Sequence, residues 1–123
     1  MIRGALYGQT VAVFGGSSGI GFATAQAARA LGADITIASR TPIRLREAAA
    51  GIGEAQTAAL DIRDAAAVAE FFAARDPFHH VVVSAAELSV GPLRRRSLGD
   101  ERAAMESKFW GAVHVAHAAR IRP

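Results

Sequence analysis

The run Gly15-Gly16-Ser17-Ser18-Gly19-Ile20-Gly21 follows directly on Thr10-Val11-Ala12-Val13-Phe14. An apolar, β-branched strand feeds a glycine-dense turn, and an alanine-rich helical stretch from Phe22 to Leu31 comes next. Strand, glycine turn and helix together can hold a dinucleotide pyrophosphate. Glycines let the backbone turn sharply and let phosphate come close, and the unpaired N–H groups of the helix's first turn meet the negative charge. The spacing is G-x-x-x-G-x-G, carried by Gly15, Gly19 and Gly21, rather than the commoner G-x-G-x-x-G.

The rest of the chain supplies the frame for such a turn. Asp34–Ala38 reads as a second strand after Gly32-Ala33. Pro42–Ala50 reads as a helix with proline at its start, closed by Gly51 and Gly53. Ala55–Leu60 is a weak third strand, placed by its position in the rhythm. Asp64–Ala74 is a helix capped by Asp64, with Val68, Phe71 and Phe72 on one face. Pro77 separates it from a fourth strand, His80–Ser84. Glu87–Pro92 is a loop, and Leu98 to Arg120 is a long last helix with Met105, Phe109, Val113 and Ala116 along one side. Strands alternating with helices, and apolar almost throughout, predict an α/β fold. This is a Rossmann-like, doubly wound parallel sheet of four strands in the order 3-2-1-4, flanked by helices. A single nucleotide-binding domain over residues 1–123 is expected.

Composition narrows the chemistry. Half the 123 residues are apolar (51%), enough for a buried core and against disorder. With no cysteine there is no disulfide, no cysteine-ligated zinc and no cysteine nucleophile. Met1 to Gln9 lacks the layout of a secretory signal, and no apolar run approaches the roughly 20 residues that span a bilayer. A cytoplasmic protein with no membrane partner is expected. The net charge of +3 is uneven, because Arg94-Arg95-Arg96 falls in a basic C-terminal quarter. An anion or nucleic-acid patch is one reading of that triplet. No aromatic residues interleave with the arginines, so a solvated loop before a helix is the favoured reading and nucleic acid is not an expected partner. His114 and His117 share a helix face without a third ligand at a suitable spacing, so no metal is expected. His79-His80 reads as structural, and Phe109 and Trp110 beside Gly111 as core or interface packing.

At this point the chain resembles the short-chain dehydrogenase/reductase family, over essentially its whole length. Gly15-x-x-x-Gly19-x-Gly21 is similar to that family's cofactor loop, with Phe14 where a threonine is usual. Ser39-Arg40 falls at the end of the second strand, where the family reads the adenosine ribose. Asp61-Ile62 is similar to its adenine-contacting pair. Ser84-Ala85-Ala86 stands where the family has Asn-Ala-Gly, and Gly91-Pro92-Leu93 resembles a frequent downstream Gly-Pro-Leu. The resemblance implies an oxidoreductase passing hydride between NAD(P)(H) and a carbonyl or alcohol. It also implies cofactor contacts at Gly15, Ser17, Ser18, Gly19, Ile20, Gly21, Ser39, Arg40, Asp61, Ile62, Ser84, Ala85 and Ala86. Arg40, a charged fork in place of an acid, favours NADP, with NAD as the alternative.

The family's catalytic Tyr-x-x-x-Lys does not occur in these residues. Tyr7 precedes the first strand, the sole lysine is Lys108, and Lys108 takes the position of the family's helical asparagine. No catalytic residue is therefore expected here, and activity of this chain alone is not expected. The favoured expectation is the cofactor-binding half of a longer protein. A chain completed by a partner, or a stand-alone module that binds a dinucleotide or a subunit without redox chemistry, are the alternatives. A second copy or a complementing chain is the expected protein partner, because a sheet ending at the fourth strand leaves an apolar edge.

Overall fold

Val11, Ala12, Val13 and Phe14 are all buried, because strand β1 (Thr10–Phe14) lies inside a sheet covered on both faces. Such a strand has no solvent side, so its residues read as a continuous apolar run rather than an alternation. The structure, a computed structural model, describes residues 3–86 and 90–123. Much of the predicted Glu87–Pro92 loop thus lies outside the described residues. β2 (Asp34–Ser39), β3 (Gln56–Ala59) and β4 (His80–Val83) complete a parallel sheet in the order β3-β2-β1-β4, the order expected from the sequence. The register sets Phe14 opposite Ala38 on β2 and Val83 on β4, so the C-terminal ends of three strands finish level.

Two cores follow from the pleat. Val11, Val13, Ile35 and Ile37 face helices α1 (Gly19–Ala30) and α2 (Pro42–Ile52). Ala12, Phe14 and Ala38 face α3 (Ala65–Ala73), where Val68, Phe71 and Phe72 pack as the helical spacing predicts. Asp64 caps α3, its Oδ1 accepting from the Ala67 N–H at 3.1 Å. His79 is structural, as read from sequence: its Nδ1 accepts from the Thr10 N–H at 3.0 Å and ties the start of β1 to the approach to β4.

The last helix departs from expectation in two ways. It runs as α4 (Leu98–Met105), a π-turn at Glu106–Trp110 and α5 (Gly111–Ala118), and stops before the predicted Arg120. The chain then turns extended, and Ile121 forms a parallel bridge with Phe78. The Phe78 N–H donates to the Arg120 carbonyl at 2.9 Å and the Arg122 N–H to the Phe78 carbonyl at 2.7 Å. A sheet edge with unpaired backbone groups competes successfully with one more turn of helix.

The second departure concerns the helix's faces. Met105, Phe109 and Val113, which the sequence sets along one side of the helix, are 54%, 49% and 38% exposed rather than in the core. Ser107, Gly111 and Val115 are buried instead. The contact is too close for large side chains, since a Cβ on Gly111 would lie 2.8 Å from Ile62 Cγ2. No described helix is long and apolar enough to cross a membrane.

Candidate functional site

The glycine turn leaves β1 at the level where β4 also ends, and each glycine meets a different demand. Gly15 has φ +92°, and a Cβ there would stand 2.6 Å from the Ala85 nitrogen, so a side chain is refused on both conformational and steric grounds. Gly19 has φ +57° and open space where a side chain would be. Gly21 packs the first turn of α1 onto the turn itself, and a Cβ there would collide with the Gly15 carbonyl oxygen and Ser84 Oγ. Ser18, at the N-cap of α1, makes no side-chain capping bond. The first-turn N–H groups are therefore not capped by the Ser18 hydroxyl and present positive partial charge at the turn.

Beside this turn lies a cleft of about 250 Å³ at the C-terminal ends of the strands. Its wall includes Ser17 and Ser18 from the turn, Ser39 and Arg40 from the end of β2, Asp61 and Ile62 after β3, and Ala85 and Ala86 after β4. Eight of the residues singled out from sequence are thus brought to one cavity. Gly15, Gly19, Ile20, Gly21 and Ser84 are not among the residues that line it. Ile20 is 80% exposed. The Ser84 hydroxyl turns back into the protein, donating to the carbonyls of Phe14 (3.3 Å) and Gly15 (3.4 Å).

Two polar features of the wall stand out. Ser39 Oγ is buried and has no hydrogen-bond partner among the described residues. A buried hydroxyl without a partner is rare in folded proteins, and one in a cleft wall is suited to a ligand hydroxyl or phosphate. Asp61 is hydrogen-bonded to Arg63. Its Oδ1 accepts from the Arg63 backbone N–H (2.9 Å) and Nε (3.1 Å), and its Oδ2 from Nε (3.1 Å) and Nη2 (2.8 Å). The side-chain bond from Arg63 is the main reason the Asp61 carboxyl lies below its ordinary pKa. The Arg63 backbone bond and the charges of Arg63 and Arg40 lower it further, against the opposing effect of burial.

Sequence reasoning missed Thr41, Arg44, Leu60, Arg63 and Ser107, all in the same wall. Arg44 lies on α2 one helical turn beyond Arg40, and Arg63 lies two residues beyond Asp61, so nearness to residues already singled out was the available signal. Ser107 is one turn before Gly111, on the buried face that the apolar pattern of the helix conceals. It lines the cleft, whereas Lys108, the expected successor of a helical asparagine, is exposed and outside the lining. His114 Nδ1 donates to the Ile62 carbonyl at 2.9 Å and so holds α5 against the wall. Among the described residues no three His, Asp or Glu side chains are placed to share a metal. Arg96 pairs with Glu101 at 2.7 Å, and Arg94 and Arg95 are exposed on a short 3₁₀ turn.

The family model for short chain dehydrogenase matches residues 9–120, nearly the whole chain. The chain belongs to the short-chain dehydrogenase family. A curated relative, a "Probable oxidoreductase" of Streptomyces lividans, is 41% identical over 86 residues, which cover 65% of this chain and 29% of the relative. Among solved structures, a short chain dehydrogenase/reductase family protein matches with TM-score 0.87 and 30% identity, over 93% of this chain and 49% of that one. The L-sorbose reductase of Gluconobacter frateurii, solved with NADPH and L-sorbose, matches with TM-score 0.84 and 25% identity, over 97% of this chain and 48% of that one. The chain thus spans about half the length of these short-chain dehydrogenase structures, and less of the curated relative. The fold reading from sequence holds for the family: the four-stranded sheet corresponds to the part these matches cover.

Proposed function

We propose that this chain is the dinucleotide-holding half of a short-chain dehydrogenase/reductase oxidoreductase, with NADP(H) preferred over NAD(H). The bound nicotinamide supplies the hydride that passes to or from a carbonyl or alcohol substrate in the whole protein. The observation that carries the reading is the junction of the glycine turn with the cleft. Gly15 and Gly21 leave no room for side chains, Gly19 leaves open space, and the Ser18 side chain does not cap the start of α1. Pyrophosphate belongs at that start. Ser39 Oγ, buried and unpartnered, and Arg40, exposed at the rim, are suited to the adenosine ribose and its 2′-phosphate. The cleft residues of this chain bind and orient. None of them is assigned a proton transfer.

The NADPH complex of the related L-sorbose reductase supports the cofactor class. A reducing cytoplasm is the proposed setting, in keeping with the lack of cysteine. The exposed Met105, Phe109, Trp110 and Val113 are the face proposed to meet a second copy or a complementing chain.

Titration of the chain with NADPH and NADH tests this reading. Saturable binding of NADPH, tighter than of NADH, is expected, and absence of binding for both refutes it. Arg40→Ala is expected to weaken NADPH about tenfold and leave NADH nearly unchanged, the size of one charge-assisted hydrogen bond.

A further inference from the structure

The basic triplet Arg94-Arg95-Arg96 is not among the residues that line the cleft. Ser97 and the apolar Leu98 follow it at once. Of the twelve serines and threonines in the chain, only Ser97 has arginines both two and three residues before it. Arg94 and Arg95 are exposed on the 3₁₀ turn Leu93–Arg95 and make no ion pair among the described residues, whereas Arg96 pairs with Glu101. The backbone is extended at Arg96 (φ −89°, ψ 144°) and at Ser97 (φ −73°, ψ 150°). Ser97 therefore sits on an open step between the turn and α4, exposed, with exposed Leu93 and Leu98 to either side. It is the N-cap of α4, its Oγ accepting from the Asp100 N–H at 3.0 Å.

Arginines just upstream of an exposed hydroxyl are a charge pattern that an acidic substrate groove can select. A phosphate on a capping serine would face the positive end of its helix, and neighbouring arginines would add charge-assisted hydrogen bonds. We propose that Ser97 is a phosphorylation site for a protein kinase whose groove reads Arg94 and Arg95, and that the phosphate then replaces the hydroxyl as the cap of α4. The donor is a nucleoside triphosphate. The bond from Ser97 Oγ to the γ-phosphorus forms as the bond from that phosphorus to the bridging oxygen breaks. The nucleoside diphosphate leaves with the electron pair, and the hydroxyl proton passes to a base on the kinase. Asp100 and Glu101 place two carboxylates in the same helical turn. Arg96 is already paired with Glu101, so Arg94 and Arg95 are the charges that hold the phosphate against Asp100. The site stands apart from the dinucleotide reading.

The test incubates the unaltered, folded chain with ATP, magnesium and the catalytic subunit of cyclic-AMP-dependent protein kinase, an arginine-directed enzyme. Intact-mass and peptide mass spectrometry read the product. One phosphate, on Ser97, is expected. Ser97→Asn keeps a good helix cap and lacks the acceptor, so it is expected to fold and to take up none. Replacing Arg94 and Arg95 together by glutamine is expected to slow uptake by about tenfold or more, the size of one charged hydrogen bond. In the phosphorylated chain, hydrogen exchange of the Gly99 and Asp100 amides, in the first turn of α4, is expected to slow about fivefold and to recover on phosphatase treatment.

No uptake by the folded chain, uptake only after heat denaturation, or equal uptake by Ser97→Asn would overturn the site. Undiminished uptake by the double glutamine variant would overturn the reading of Arg94 and Arg95. Unchanged or faster exchange of the two amides in the phosphorylated chain would overturn the phosphate cap.

Discussion

Two aromatic pairs have nearly the same geometry and opposite surroundings. Phe71 and Phe72 stand edge to face, with centroids 5.1 Å apart and planes at 88°; Phe109 and Trp110 do the same at 5.1 Å and 87°. The first pair is 3% and 2% exposed, the second 49% and 47%. Phe71 and Phe72 have the sheet beneath them, and Phe14 and Phe78 close the cluster. Phe109 and Trp110 lie on a helix whose inward face is made of Ser107, Gly111 and Val115. Local aromatic contact is therefore no sign of a core. What matters is whether a second element lies close enough to exclude water, and α5 approaches its neighbours through its smallest residues.

The difference is tested most strongly by truncation. Phe72→Ala is expected to destabilise the fold by about 3–5 kcal/mol. Trp110→Ala is expected to change the stability of the monomer by no more than about 0.5 kcal/mol. Urea unfolding followed by circular dichroism measures both, and equal losses would erase the distinction between the regions. The close face of α5 gives an intermediate effect. Gly111→Val forces a branched side chain toward Ile62 and is expected to cost about 1–3 kcal/mol, although it only adds apolar atoms. A neutral Gly111→Val in the same unfolding experiment would mean that α5 packs more loosely than its geometry requires.

Smaller effects sharpen the account at the ends of elements. Asp64→Ala removes the α3 cap and is expected to cost about 1 kcal/mol, visible as a lower unfolding midpoint. The smallest effect is that of pH. The folded-state pKa of Asp61 lies below its unfolded value, so folding favours the carboxylate. Its contribution is full above the ordinary carboxylate range and is lost as pH falls through the lowered folded value. The carboxylate and guanidinium side chains are about one-third exposed, so screening keeps the gain modest. Asp61→Asn is expected to flatten stability against pH in that acid window only, and an unchanged profile would contradict the pairing.

The sheet and its strand order were legible because each βα unit carries its own punctuation. The first apolar run ends in Gly15, the first two helices close near Gly32 and Gly53, and the second and third helices open on Pro42 and Asp64. The gathering of Ser39, Arg40, Asp61 and Ala85 into one cleft was legible for the same reason, since strand ends in a parallel sheet meet at one edge. Three things were not legible. The packed face of α5 is hidden because apolarity marks burial only when the contact is wide enough for large side chains. The commitment of Asp61 to Arg63 depends on side-chain geometry two residues apart, which no periodicity encodes. The bridge from Ile121 to Phe78 depends on backbone groups that every residue type shares.

The central claim is that the glycine turn and cleft of this chain hold NADP(H). Calorimetric titration with NADPH and NADH tests it most directly, with Glu70→Ala, exposed on α3 and outside the cleft, as a folded control. The expected result is saturable binding tighter for NADPH, retained in Glu70→Ala and lost in Gly21→Val, where a side chain would collide with the Gly15 carbonyl and Ser84 Oγ. No heat of binding with either nucleotide, from a chain that unfolds cooperatively, would contradict the claim.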